Sequence, residues 1–229
     1  MKSVKVFLLM ALMLTYSITQ AQHLFFPTKA GIVQYYVQKN AKGNPESYWR
    51  YTIKDVTGSG DNMSISYVME YLDKNRKPAN NPPVEIPLTV VIKDGKMVMD
   101  MKGMFASILK DSQLNVEITG EPSELPGNIV PGQGLKDTEM TMTMNAGPIK
   151  IATNIKITDA TCIAIEDVKV QAGTFKCHKI AQTVATTVMR RTVVSKTLSW
   201  YAPGVGIVKS ENYNDKDQLE NSTELVEMN

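Results

Sequence analysis

Cys177 and His178 are neighbours in the sequence, and a thiol beside an imidazole could belong to a zinc site or to a nucleophilic site. The residues around them alternate as in a β-strand, where neighbouring side chains point to opposite faces. The two groups could therefore share one site only at a bulge. The other histidine, His23, lies far away in the sequence, and neither His-Glu-x-x-His nor Cys-x-x-Cys occurs. We predict no metal site and no bound cofactor.

Other groups that could catalyse a reaction lack the sequence context that catalysis needs. Glu166-Asp167 and the pair Asp215 and Asp217 are carboxylates, but a glycosidase pair is defined by its separation in space. The sequence contains no Gly-x-Ser-x-Gly elbow and no phosphate-binding Gly-x-x-x-x-Gly-Lys-Ser/Thr loop. Gly204-Val205-Gly206 lacks the third glycine of a dinucleotide fingerprint. We predict no catalytic residues and a protein that is not an enzyme.

Methionine forms the most unusual pattern in the chain. Two segments each place three methionines at alternate positions, which lie on one face of a strand, and a further methionine follows the first segment. The residues are Met97, Met99, Met101 and Met104 in the first region, and Met140, Met142 and Met144 in the second. Three interpretations remain open: ordinary core packing, an adaptable apolar groove for a ligand, and Cu(I) binding by soft thioether ligands.

The elements that carry these residues are predicted to be strands almost throughout. Asp94-Gly95 supplies the positive φ values of a tight hairpin turn between two apolar runs. A short helix is predicted near residues 103–111, with Met104, Phe105, Ile108 and Leu109 on one side. The polar, Pro-rich and Gly-rich segment Glu121–Asp137 is interpreted as a crossover within one domain. The predicted fold is all-β: a large curved antiparallel sheet, an open barrel or a sandwich of about a dozen strands.

The N-terminal residues are predicted to be an export signal. Lys2 and Lys5 precede a short apolar run that ends near a Thr19-Gln20-Ala21 cleavage site, so residues 1–21 form the signal peptide and 22–229 a single β-rich domain. No other stretch is apolar for long enough to predict a membrane span in the mature chain. We expect an exported protein, located in the periplasm, at the cell surface or outside the cell.

The predicted cleavage leaves a mature chain that is formally neutral. The whole chain has 25 Lys and Arg and 23 Asp and Glu, and the signal peptide carries two lysines and no acid. A neutral protein exerts no long-range attraction on nucleic acid or anionic lipid. Arg190-Arg191 is one of two local basic clusters, and we interpret both as solvated surface. No nucleic-acid partner is predicted.

The segment from Cys162 to Lys209 carries a family resemblance. Its matching residues include Ala172-Gly173-Thr174-Phe175 and the run Trp200-Tyr201-Ala202-Pro203-Gly204-Val205-Gly206. They resemble an uncharacterised exported β-domain family of Gram-negative bacteria, a domain of unknown function that is in places called TapB-like. The resemblance implies a β-rich domain behind a signal peptide and implies no known reaction. In physical terms the motif provides turns and strand anchors.

Two cysteines in an exported chain suggest a Cys162–Cys177 disulfide. A simple hairpin with its tip at 171–173 would instead leave Cys162 about 16 Å from the residue opposite Cys177, so the bond requires a bulge or a bend. Paired cysteines at these positions look typical of the family, and the resemblance therefore favours the disulfide.

The function that the sequence favours is a non-enzymatic envelope domain that binds an apolar ligand or a lipid along the methionine-bearing strands. The alternative is a structural or interaction module with a protein partner in the cell envelope, and Cu(I) binding ranks below both. An apolar cavity beside the methionine strands and the short helix would favour the first hypothesis over the second.

Overall fold

The structure is a computed structural model that describes residues 24–80, 85–100, 115–146 and 149–229. These residues form thirteen strands and no helix. The strands are β1 (Val33–Asn40), β2 (Pro45–Ser59), β3 (Asn62–Leu72), β4 (Glu85–Lys93), β5 (Lys96–Met99), β6 (Asn115–Gly120), β7 (Leu125–Pro126), β8 (Thr138–Ala146), β9 (Ile149–Val170), β10 (Gly173–Val188), β11 (Arg191–Ala202), β12 (Gly206–Tyr213) and β13 (Leu219–Met228).

All thirteen strands belong to one antiparallel sheet with the order β6-β8-β9-β10-β11-β12-β13-β1-β2-β3-β4-β5-β7. Most neighbours in the sheet are also neighbours in the chain, joined by hairpins. The pairing of β1 with β13 connects the N-terminal meander to the C-terminal one. The prediction of an all-β fold built on a large curved sheet is confirmed, and the sheet is open and single.

The sheet curves so strongly that its two ends approach each other. Met99 of β5 and Met140 of β8 line one cavity of about 230 Å³, although each strand is second from an opposite edge of the sheet. β6 and β7 form the two edges, and no ladder joins them in the described part of the chain. The curvature therefore creates a covered interior without closing the sheet.

The interior is packed by alternate residues, as period-2 strands require. Ile53, Ile65 and Tyr67 form one buried cluster with Leu88, Val90 and Ile92, all from β2 to β4. A second cluster joins Phe25, Leu125 and Ile129 to Cys162 and Ile180 of the β9/β10 hairpin. The segment before β8 thus lies over the sheet and fills part of the interior.

The N-terminal segment packs against the turn between β11 and β12. Phe25 is buried, and the amide of Gly204 donates a hydrogen bond of 2.7 Å to the carbonyl oxygen of Leu24. Gly206 has a φ of +97°, and a Cβ at this position would lie 3.2 Å from the carbonyl oxygen of Phe25. A side chain at 206 would meet both the backbone strain and this close approach, so glycine is required there.

β9 is one long strand that contains a bend. Asp159 has a φ of 56°, and the strand bends there without ending. Its ladder with β10 continues on both sides of the bend, from Ala181 paired with Thr161 to Thr183 paired with Thr158. Pairing with β10 therefore keeps β9 continuous through a residue whose positive φ could otherwise end the strand.

A bulge in β9 determines the face of the sheet on which Cys162 lies. Lys179 pairs with Ala164 whereas Ile180 pairs with Cys162, so Ile163 is an extra residue in β9. An extra residue shifts the alternation of the strand, and side chains beyond it point to the opposite face. Cys162 therefore shares a face with Ile180.

The predicted disulfide is wrong in this structure, where Cys162 and Cys177 are separate buried thiols. Cys177 pairs with Glu166, four residues along β9 from Cys162, a span of about 13 Å. The two cysteines also belong to different buried clusters, with Cys177 beside Trp200. The bulge that a disulfide would have needed instead turns the two side chains away from each other.

Several predictions concern residues outside the described ranges. They are the signal peptide at 1–21, the short helix near 103–111, and the positions of Met101 and Met104. Within the ranges that are described, no helix combines the length and hydrophobicity that crossing a membrane requires.

Candidate functional site

A cavity of about 270 Å³ lies on the inner face of the sheet, which we define as the face that carries Tyr36 and Tyr67. Its walls come from β1 to β5, from the β11 to β13 region and from the N-terminal segment. Seven of the sixteen lining residues are aromatic, and we call this space the aromatic cavity. Its aromatic residues are Phe25, Phe26, Tyr36, Trp49, Tyr51, Tyr67 and Tyr201.

Strand register explains why these rings meet. Trp49 and Tyr51 are two residues apart on β2 and so share a face, and Trp49 pairs directly with Tyr36 of β1. Tyr36 stacks on Trp49 at 5.7 Å between ring centroids with an interplanar angle of 9°. Tyr51 meets Tyr36 and Tyr67 edge to face at 5.3 and 5.4 Å. Such contacts give the cavity a rigid wall.

The cavity is uncharged at its described surface. None of the residues that line it is acidic or basic, and its polar members are tyrosines, Trp49, Gln34, Ser210 and Thr223. Burial raises the pKa of Tyr36 and of Tyr67, so these hydroxyls stay neutral at physiological pH.

Two of the polar side chains are held by backbone carbonyl groups. The Nε2 group of Gln34 donates to the oxygen of Val205 at 2.8 Å. The hydroxyl of Tyr36 donates to the oxygen of Ile207 at 2.9 Å. These bonds fix the side chains across the cavity, satisfy their buried donors and leave the space between them apolar.

Trp49 carries a donor that no residue satisfies. Its indole N–H is buried and has no hydrogen-bond acceptor within the described part of the chain. The pKa of Tyr51 is raised, because the effect of burial outweighs the opposite effect of the nearby indole of Trp49. The indole N–H and the Tyr51 hydroxyl do not reach full hydrogen-bond geometry. A buried donor without a partner costs about 1–3 kcal/mol. The nitrogen is enclosed by protein atoms, so a molecule in the aromatic cavity would reach it only after the wall rearranged.

The structure brings together only part of the predicted methionine set. Met97 and Met99 line the aromatic cavity, and Met99, 40% exposed, also lines the smaller cavity that contains Met140. Met142 and Met144 lie further along β8, where they pair with Ile118 and Val116 of β6. The two methionine strands therefore meet at one end, through Met99 and Met140.

Cys177 and His178 point to opposite faces, as strand alternation predicts. His178 places its Nδ1 atom 3.1 Å from the carbonyl oxygen of Ile129, and its ring lies edge-on to Phe25 at 5.0 Å. Burial raises the pKa of the Cys177 thiol to about 11, with the nearby charges of Asp167 and Glu166 adding to the effect. The thiol is therefore protonated at neutral pH and is a poor nucleophile.

The family motif positions a polar cluster around Trp200 on the other face. The indole N–H of Trp200 donates to Oε1 of Glu166 at 2.6 Å. The Nζ atoms of Lys179 and Lys209, on the two flanking strands, lie 4.7 and 5.0 Å from the centroid of its ring. The hydrogen bond from Trp200, followed by the charges of the lysines, lowers the pKa of Glu166. These contacts link β9 to β12 and hold the β9/β10 hairpin in place.

Sequence reasoning missed the aromatic residues of the cavity. A usable signal was present, because Trp49 and Tyr51 occupy alternate positions in one strand-like segment and Tyr67 lies in the next such segment. The described residues contain no group of three or more His, Cys, Asp or Glu side chains arranged for a metal ion.

Two solved structures share this fold. One is a candidate exported protein with a YmcC-like fold from Bacteroides fragilis NCTC 9343, with 22% sequence identity and a TM-score of 0.69. The other is a candidate lipoprotein from Parabacteroides distasonis ATCC 8503, with 22% identity and a TM-score of 0.70. Each comparison covers 90% of this chain and 99% of the other. These identities establish similarity of fold only.

Sequence comparison points to one family. A family model described as DUF3108-like matches residues 29–225. No curated protein matches the sequence. The match spans nearly all of the described sheet, from the residues before β1 into β13, and it confirms the resemblance to an uncharacterised β-domain family.

Proposed function

The chain belongs to the DUF3108-like family, and from that premise we propose that it is an exported, non-enzymatic binding protein whose ligand occupies the aromatic cavity. The observation that carries the proposal is the cavity itself: about 270 Å³ of uncharged space walled by aromatic rings and by Met97 and Met99. Pockets for small molecules are mostly apolar and have volumes of about 300–1,000 Å³. The cavity lies close to the lower end of that range.

The lining indicates the chemistry of the ligand. An apolar body would replace solvent against the aromatic and methionine walls, at about 25 cal/mol for each Å² of apolar surface removed from water. The hydroxyl groups of Ser210 and Thr223 in the lining would bond to one oxygen atom of the ligand. A short acyl chain or another compact lipid with a carbonyl, carboxyl or hydroxyl group meets both requirements. Met99, partly exposed, gives the cavity an adaptable rim.

Export is proposed on two grounds. Residues 1–21 have the charge, apolar run and cleavage site of a signal peptide. The two proteins of similar fold are described as a candidate exported protein and a candidate lipoprotein. A protein outside the cytoplasm that binds a lipid-like molecule would protect or carry it within the cell envelope.

Native mass spectrometry tests the proposal. The protein without residues 1–21 is incubated with a fatty acid of about ten carbons, a length chosen for a cavity at the small end of ligand sites. We expect one bound molecule per chain. Ser210→Phe, which fills the cavity from β12, should abolish the complex.

Ser66→Phe is the matched control. Ser66 lies between Ile65 and Tyr67 of β3, whose side chains point inward, so its own side chain points away from the cavity. This variant should retain the ligand. A wild-type chain that stays free of ligand after challenge would contradict the proposal and favour a purely structural role in the envelope.

A further inference from the structure

We propose that the β10/β11 hairpin docks the protein on the surface of a bilayer that contains anionic phospholipid. The docking surface consists of Val188, Met189, Arg190, Arg191, Val193 and Val194. It lies apart from the aromatic cavity and does not depend on what the cavity binds. Four kinds of observation support the inference: projection, apolar exposure, charge and the geometry of the turn.

The β10/β11 hairpin extends beyond β12, its neighbour on one side. Pairing of β11 with β12 ends at Lys196, opposite Tyr213, whereas pairing of β11 with β10 continues to Arg191, opposite Val188. Residues 191–195 therefore extend past the end of β12 by about 16 Å at the usual strand rise. On the other side β9 continues beyond its last pairing with β10, from Thr153 to Ile149, so the tip is free along its β11 edge and flanked by β9.

The end of the hairpin exposes apolar side chains that the core does not use. Met189 is 73% exposed and Val193 57%, and Val188 and Val194 are 38% and 41% exposed. These four are among nine large hydrophobic residues exposed in the described ranges, and they lie within seven positions of one another. Such a concentration marks an interaction surface, because single exposed apolar residues are normally scattered.

The charge of the region fits an anionic partner. No acidic residue occurs between Asp167 and Glu211, and this interval holds seven Lys and Arg residues. Lys196, the basic residue nearest the arginines in β11, pairs with Asp217 at 2.5 Å. No ion pair to Arg190 or Arg191 exists within the described part of the chain, which leaves two guanidinium groups beside the apolar tip. Although the mature chain is formally neutral, its charge is not evenly distributed.

The turn between β10 and β11 holds two non-glycine residues at positive φ, which strains the backbone. Met189 and Arg190 form its two central positions with φ values of 46° and 76°. Asn-Gly is the sequence that such a two-residue hairpin turn favours, since other residues are strained at positive φ. Strained residues cluster at functional positions. A turn sequence that costs stability fits a function of the side chains of Met189 and Arg190 in docking.

These features match an interfacial membrane contact. Met189 and the valines would enter the boundary between headgroups and acyl chains, and the arginines would bond to lipid phosphates. Pairing of the free β11 edge with a second copy of the chain is the competing possibility. It would bring together two arginine-bearing, acid-free segments, and like charges close to each other across strands are destabilising.

Vesicle flotation tests the inference. All thirteen strands follow residue 24, so the protein is used without the predicted signal peptide, which would itself bind lipid. We expect it to float with phosphatidylcholine vesicles that contain about 30% phosphatidylglycerol, and not with phosphatidylcholine alone. Arg190→Gln with Arg191→Gln should lower the partition coefficient by about 25-fold, at about fivefold for each arginine. Met189→Ser with Val193→Ser should also release the protein.

Two control variants separate the hairpin from general surface effects. Lys169→Gln with Lys176→Gln removes the same charge beside the β9/β10 turn, at the end of β10 opposite the docking surface. Val130→Ser removes a comparably exposed valine elsewhere. Both should float like the wild type. Ser210→Phe should float as well, which distinguishes this inference from the proposed cavity ligand.

Two results would overturn the inference. One is equal flotation of the wild type and the hairpin variants. The other is a failure to bind anionic vesicles together with a dimer in sedimentation analysis that Val193→Ser dissociates. The second result would assign the free edge of β11 to a second copy of the chain.

Discussion

Ile163 shows how one residue can decide the chemistry of two others. As the extra residue in the β9 bulge, it places Cys162 on the face opposite Cys177. Two cysteines in a chain predicted to be exported suggest a bond, and their spacing in the sequence cannot reveal where a bulge lies. Each thiol instead donates to a carbonyl group two residues away, that of Ala164 for Cys162 and that of Phe175 for Cys177.

The state of the thiols is directly testable. Intact-mass measurement of unreduced protein should show two free thiols, and both should resist alkylation at neutral pH until the protein unfolds. Burial raises the pKa of both groups, which keeps them protonated and inaccessible. Addition of a reductant should leave the unfolding midpoint unchanged. A reductant-induced loss of about 2–4 kcal/mol would reveal a disulfide after all.

Glu166 predicts a pH dependence of stability. The hydrogen bond from Trp200 and the nearby lysines lower its pKa in the folded state. Its ionised form therefore stabilises the fold above the unfolded-state pKa of about 4.3, and this contribution disappears as the pH falls through the lower folded pKa. The stability difference between the wild type and Glu166→Gln should be about 0.5 kcal/mol at pH 7, since the carboxylate is partly exposed.

That difference should shrink toward zero in urea titrations at successively lower pH. Glu117→Gln, on an exposed residue of β6, provides the comparison. A difference between the wild type and Glu166→Gln that stays constant down to pH 3 would mean that Glu166 acts through packing and not through its charge.

At the scale of strands and turns, the sequence predicts regular elements well and special geometry poorly. The Asp94-Gly95 hairpin lies where predicted, with positive φ at both residues, because the turn chemistry is local. β6, a short and largely polar strand, was not predicted, since its pairing with β8 depends on residues that are distant in the sequence. The bend at Asp159 resembles a strand end in the sequence, and only the ladder to β10 shows that the strand continues.

A turn between β10 and β11 that is free of backbone strain should stabilise the fold and abolish binding to vesicles. Replacing Met189 by Asn and Arg190 by Gly supplies residues that tolerate positive φ. We expect the free energy of unfolding to rise by about 1 kcal/mol in chemical denaturation, while binding to anionic vesicles is lost. A double variant that gains no stability would show that the turn is not strained.

At the scale of the whole molecule, curvature creates the candidate site. Tyr36 and Trp49 are near neighbours in the chain, but Met97 and Tyr201 reach the same cavity from distant strands. Strand alternation indicates which side chains point inward. It does not indicate that the ends of a thirteen-stranded sheet approach each other, because that depends on twist accumulated over all the strands.

The methionine prediction illustrates this limit. Met97 and Met99 do line the cavity, and Met140 joins Met99 in the adjoining one. Met142 and Met144 carry the same alternating pattern and instead pack along β6. A periodic pattern therefore identifies side chains that share one face of a strand, and the three-dimensional path of the sheet decides which part of that face encloses space.

Fluorescence quenching by a brominated fatty acid tests most directly whether the aromatic cavity binds a ligand. Trp49 lines the aromatic cavity, and bromine quenches indole emission only at short range. We expect saturable quenching at one molecule per chain, lost in Ser210→Phe and retained in Ser66→Phe. Trp200, on the other face, should keep its emission. Quenching that does not saturate, or that is unchanged in Ser210→Phe, would contradict a ligand site in the aromatic cavity.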